Sequence, residues 1–104
     1  MVKGRPPHYP LKAIKAAFSD VRRLNRTMSA ALGAENLGMD VLAVIDVIAR
    51  LTTGDFDKSM SSEIDPTVSQ DVYKPMVNGR ELYVKFTLDA RGELLLISFK
   101  GNVA

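Results

Sequence analysis

The chain has 104 residues, enough for one domain built on a single core and too few for two. It contains no cysteine, which excludes disulfide staples and zinc–thiolate sites and fits a reducing, cytoplasmic setting. A net charge of +2 suits a polyanionic partner without defining one, so the placement of the lysines carries more information than their number.

Met1 to Pro10 is a basic arm with three prolines, leading into the single domain that spans residues 1–104. Leu11, Ile14, Phe18 and Val21 then recur at helical spacing and predict an amphipathic helix whose outer face carries Lys12, Lys15, Arg22 and Arg23. Asn25 to Met28 reads as a short strand. Ser29 is placed to cap a short helix closed by Gly38. Asp40 is placed to cap the most apolar helix, with Val41, Val44, Ile45, Ile48 and Leu51 on one stripe and Gly54 as its stop. That run is too short, and too interrupted by Asp46 and Arg50, to cross a bilayer, and the N-terminus has no apolar signal segment. Strands are expected over 56–64, 68–77, 80–88 and 93–100, with Asp65-Pro66 turning between the first two. Helices followed by an antiparallel sheet make an α+β fold of two layers, the helices packed on the apolar sheet face.

Two turns set the register of that sheet. Asn78-Gly79 is the signature of a two-residue type I′ turn and places Val77 opposite Arg80, Lys74 opposite Tyr83, Val72 opposite Lys85 and Gln70 opposite Thr87. A turn at Asp89-Ala90-Arg91-Gly92 places Leu88 opposite Glu93, Lys85 opposite Leu96, Tyr83 opposite Ser98 and Glu81 opposite Lys100. Because side chains alternate along a strand, one face collects Leu82, Val84, Phe86, Leu95, Ile97 and Phe99. The other collects Gln70, Lys74, Tyr83, Lys85, Thr87, Ser98 and Lys100. A face with lysines, an amide and a phenol is suited to hold a phosphodiester, although antiparallel sheets also present such faces to water alone.

The usual catalytic sets are missing. His8 is the only histidine and sits in the arm, which argues against a histidine-based triad. Asp55, Asp57, Glu63 and Asp65 bracket a strand start and a turn, and read as caps and solvated charges rather than a magnesium site. No glycine-rich phosphate loop occurs, and Met60 and Val68 read as packing residues.

Four strings carry a resemblance: Asp55-Phe56-x-Lys58-Ser59-Met60, Gln70-Asp71-Val72-Tyr73-x-Pro75, Leu82-Tyr83-Val84-Lys85, and Leu96-Ile97-Ser98-Phe99-Lys100. In this order and spacing they resemble the MqsR family of motility quorum-sensing regulators, toxins of type II toxin–antitoxin systems; a looser similarity runs from Pro7 to Lys100, including Ala34 to Met39. The resemblance implies a RelE-like fold and a ribosome-independent endoribonuclease that needs no metal or other cofactor and cuts messenger RNA at GC-containing sites such as GCU. It implies catalytic roles for Lys58, Gln70, Tyr83 and Lys100, with Met60, Tyr73, Lys74, Lys85 and Ser98 as substrate-binding positions. Partners implied are the mRNA substrate and a cognate antitoxin, MqsA-like, zinc- and DNA-binding. Two positions depart from the family pattern: Asp57 stands where a tyrosine can precede the lysine, and Lys74 stands where an arginine follows Val-Tyr, keeping charge but losing bidentate phosphate geometry. Asp57 leaves open a second reading, a catalytically weak or inactive nucleic-acid-binding regulator of the same fold.

Overall fold

Two of the three helices open by the same device, a side-chain oxygen that accepts one of the first free backbone N–H groups. Thr27 accepts from the Ala30 N–H at 3.1 Å and Asp40 from the Ala43 N–H at 2.9 Å. The computed structural model describes residues 6–62 and 64–102; Met1 to Arg5 of the basic arm, Glu63 in the expected first strand, and the last two residues lie outside it.

Helix α1 covers Leu11–Ala17 and buries Ile14, with Phe18 just beyond it in the core. It ends earlier than the periodicity predicts, because the Ser19 hydroxyl donates back to the Ala16 carbonyl and Asp20 caps a new 3₁₀ turn, Val21–Arg23. Val21 is consequently exposed. Helix α2 covers Met28–Asn36, so its cap is Thr27 and not Ser29. Gly38, at φ 72°, closes it as expected: its N–H reaches the Glu35 carbonyl and that of Met39 reaches Ala34. Helix α3, Val41–Ala49, buries Val44, Val47 and Ile48. It stops before Gly54, which lies in a 3₁₀ turn, Thr53–Asp55, tied off by the Thr52 N–H donating to the Asp55 carboxylate at 2.9 Å.

The sheet comprises β1 (Phe56–Ser61), β2 (Ser69–Tyr73), β3 (Met76–Val77), β4 (Arg80–Leu88) and β5 (Leu94–Gly101), all antiparallel to their neighbours. With the helices on one side, the fold is α+β. Strands β2 and β3 pair successive stretches of β4 in one register, with β1 beyond β2, while β5 takes the other side of β4. Asn78 at φ 51° and Gly79 at φ 78° form the expected turn, and Val77 pairs with Arg80 and Val72 with Lys85 as it demands.

The β4–β5 connection differs from expectation. Residues 89–93 form a five-residue loop, closed by the Asp89 N–H to the Glu93 carbonyl at 2.8 Å with Gly92 at φ 79°, so Leu88 faces Leu94. A bulge then leaves Ile97 without a partner, between the pairs Phe86–Leu96 and Lys85–Ser98. Leu96 and Phe99 therefore enter the core, whereas Leu95 and Ile97, expected there, are only half-buried. Thr87, expected on the polar face, is buried and donates its hydroxyl to the Ser69 carbonyl.

The outer edge of β5 is covered. Arg26 bridges to Leu96, which reduces the expected strand at 25–28 to one residue, and α2 lies so close that a Cβ on Gly33 would strike the Phe99 carbonyl. Strand β1 leaves its outer edge unpaired among the described residues. The N-terminal arm is pinned by Tyr9, whose N–H donates to the buried Asp71 carboxylate at 2.8 Å and whose hydroxyl donates to the Ser69 carbonyl at 2.6 Å. No helix among the described residues is long and apolar enough to cross a membrane.

Candidate nucleic-acid interface

On the sheet face away from the helices, cross-strand pairing assembles two rows of side chains. One row runs Lys58 on β1, Val72 on β2, Lys85 on β4 and Ser98 on β5. The adjacent row runs from Lys74 through Tyr83 to Lys100, the last two directly paired. With strands about 4.8 Å apart, the four-strand row spans on the order of 14 Å and the three-strand row on the order of 10 Å, the length of a few nucleotides.

Tyr83 is the centre of this arrangement. The Lys100 ammonium stands 5.5 Å from its ring centroid and that of Lys85 stands 5.7 Å from it, so two cations contact the one ring. An open hollow of about 320 Å³ beside it is lined by Tyr83, Lys85, Ser98, Lys100, Gly101 and Asn102. Lys58, Lys85 and Lys100 make no ion pair with any described residue, and the Gln70 amide makes no side-chain hydrogen bond among them. These groups are therefore available to an incoming anion. Larger hollows of about 620 Å³ and 600 Å³ lie elsewhere, but of the four arginines that line them, Arg22, Arg50 and Arg91 are already paired to carboxylates and only Arg23 makes no ion pair with a described residue.

The structure brings together Lys58, Gln70, Tyr83, Lys85, Ser98 and Lys100 on one face, with Met60 half-buried beside Gln70. Tyr73 is a correction. It pairs with Val84, points into the core and packs edge-on against Phe56 and Phe86, with only 1% of its surface exposed, so it cannot touch a substrate. Burial pushes its hydroxyl pKa up, and burial also raises that of Tyr9. Lys74 is on the face but is ion-paired to Asp57 at 3.4 Å. Unforeseen contributors are Val72, a fully buried floor between Lys58 and Lys85, and Asn102, whose amide donates to Glu81 and fixes the end of β5. The Val72–Lys85 pairing was a sufficient signal for the first; nothing in the sequence marked the second. No group of three or more potential metal ligands occurs among the described residues.

Such a fold and face define a small α+β protein whose outer sheet face carries three lysines, Lys58, Lys85 and Lys100, that make no ion pair with a described residue. Residues 6–101 match the family described as motility quorum-sensing regulator, toxin of MqsA. The chain is also 36% identical over 99 residues to the mRNA interferase toxin MqsR of Escherichia coli K12, covering 95% of this chain and 98% of that protein. The chain belongs to the MqsR toxin family.

Proposed function

We propose that the chain is a toxin that cleaves messenger RNA by a metal-independent, ribosome-independent transesterification at GC-containing, GCU-like sites. The observation that carries this is the Tyr83 ring contacted by both the Lys85 and the Lys100 ammonium on an open face. In RNA the 2′-hydroxyl can attack the adjacent phosphorus, expelling the 5′-oxygen and leaving a 2′,3′-cyclic phosphate and a 5′-hydroxyl. The protein has to align that attack, move two protons and stabilise a phosphorane of increased negative charge. Lys85, Lys100 and Lys58 supply positive charge to the non-bridging oxygens. Tyr83 and the lysines carry the exchangeable protons, and Gln70 orients phosphate or base by hydrogen bonding. Ser98, across from Lys85, offers a further hydroxyl to the chain.

The partner in this reading is an MqsA-like antitoxin, zinc- and DNA-binding. The unpaired outer edge of β1 supports docking by strand addition, which would survive charge reversal at Lys85 and Lys100.

The test is digestion of a GCU-containing transcript in excess EDTA. Persistent cleavage with cyclic-phosphate and 5′-hydroxyl ends is expected. Activity abolished by chelator and restored by magnesium would contradict the chemistry, and RNA that is bound but left intact would select the regulator reading.

A further inference from the structure

Lys74 differs from the other lysines of the face in being held at both ends. Its backbone N–H donates to the Asp55 carbonyl at 2.7 Å, and its ammonium lies 3.4 Å from the Asp57 carboxylate. The local chain explains both contacts. Strand β2 ends at Tyr73 and Pro75 follows, so Lys74 leaves the ladder, yet flanking pairs keep it level with Tyr83. Opposite it, the β1–β2 register shifts between Phe56 and Lys58, and the residue freed by that bulge is Asp57. The bulge thus sets one carboxylate at the end of the row Lys74–Tyr83–Lys100. Both side chains are about one-third exposed, at 30% and 32%, so an RNA phosphate can reach the pair.

We infer that Asp57 guards Lys74: it occupies the ammonium in the free protein, and RNA gains Lys74 as a phosphate contact only by displacing the carboxylate. This rests on the RNA-binding reading proposed above. The face is then electrostatically graded. Lys58, Lys85 and Lys100 meet phosphates unopposed, while the Lys74 end binds only when the rest of the strand is already seated. Asp57 and Lys74 act as positioning residues that set affinity and the length of RNA held, and they do not touch the reacting atoms.

The experiment measures binding of a GCU-containing oligonucleotide, 2′-O-methylated throughout so that it cannot be cleaved, across a salt series. The proteins are wild type, Asp57→Asn, Lys74→Gln, the double variant and Lys100→Ala. Asp57→Asn is expected to bind about fivefold tighter at low salt, the scale of one exposed ion pair. Its log–log salt slope should steepen by about 0.7, the increment of one added phosphate contact to a single strand. Lys74→Gln should change the wild type little and erase the gain in the double variant. Unchanged or weaker binding by Asp57→Asn, or a Lys74→Gln loss as large in the wild type as in Asp57→Asn, would overturn the inference while leaving the functional reading intact. Wild-type binding no tighter than that of Lys100→Ala would overturn the functional reading and the inference with it.

Discussion

Gly33→Ala sets two physical effects of opposite sign against each other. Alanine is favoured over glycine in a helix interior by about 1 kcal/mol, so propensity alone predicts stabilisation of α2. The new Cβ would, however, collide with the Phe99 carbonyl oxygen, lie 3.1 Å from that carbonyl carbon and 3.4 Å from the Lys100 Cβ. The obstacle is backbone and cannot rotate aside, so α2 and β5 must separate, loosening Ala30 and Ala34 in the core. Overpacking costs about 1–3 kcal/mol, and an obstacle of this kind belongs at the upper end. The net is a loss of about 2 kcal/mol. A domain of this size melts about 4–8 °C lower per kcal/mol, so the midpoint should fall by about 10 °C. Thermal melting by circular dichroism reads the stability, and cleavage assayed well below the midpoint reads the displacement of Lys100. A variant that melts above the wild type would show that α2 does not lie against β5 as described.

Leu96→Ala should destabilise by about 2–5 kcal/mol and Ile97→Ala by about 1 kcal/mol, because the bulge puts Leu96 in the core and leaves Ile97 half-buried; denaturant melts giving the reverse order would restore the unbulged register. Burial raises the pKa of Tyr73 and of Tyr9, so the neutral phenols stabilise the fold below their unfolded pKa of about 10 and that stability is lost as pH rises beyond it. Tyr73→Phe should therefore melt like the wild type near neutrality and decline less above pH of about 10; parallel declines would contradict the burial assigned to Tyr73. On the acid side, hydrogen bonds from the backbone of Glu93, the Arg91 side chain and Asn25 hold the Asp89 carboxyl well below the usual range. Its contribution is present above the unfolded pKa of about 4 and is lost as pH falls below it, so Asp89→Asn should flatten the acid limb of the melting profile.

The cationic face was legible because one turn specifies much of it. Asn78-Gly79 admits a single register, and that register alone places Lys74, Tyr83, Lys85 and Gln70 on the side opposite Val84 and Phe86. The second hairpin departs from its local signature in two ways that cancel in part. Its loop has one residue more than the Asp-Ala-Arg-Gly signature suggests, and the Ile97 bulge adds another. A shift of two restores Ser98 and Lys100 to the polar face, and it sets Lys100 rather than Ser98 directly against Tyr83. Tyr73 departs from expectation for a different reason. Alternation from Val77 already assigns it to the side of Val84, and only the family resemblance drew it toward substrate. The Asp57–Lys74 pair was not readable at all, since it depends on a bulge that no local residue preference marks.

In the proposed mechanism RNA is cut at Tyr83, beside Lys85 and Lys100. Cleavage of a GCU-containing transcript by Tyr83→Phe and Lys100→Ala, measured beside their melting temperatures, tests it most directly. Both residues lie on the outer face, so their stability should change by less than about 0.5 kcal/mol, while the cleavage rate should fall by about a hundredfold or more. Variants that cut at the wild-type rate, or that lose activity only in proportion to lost fold, would contradict the account.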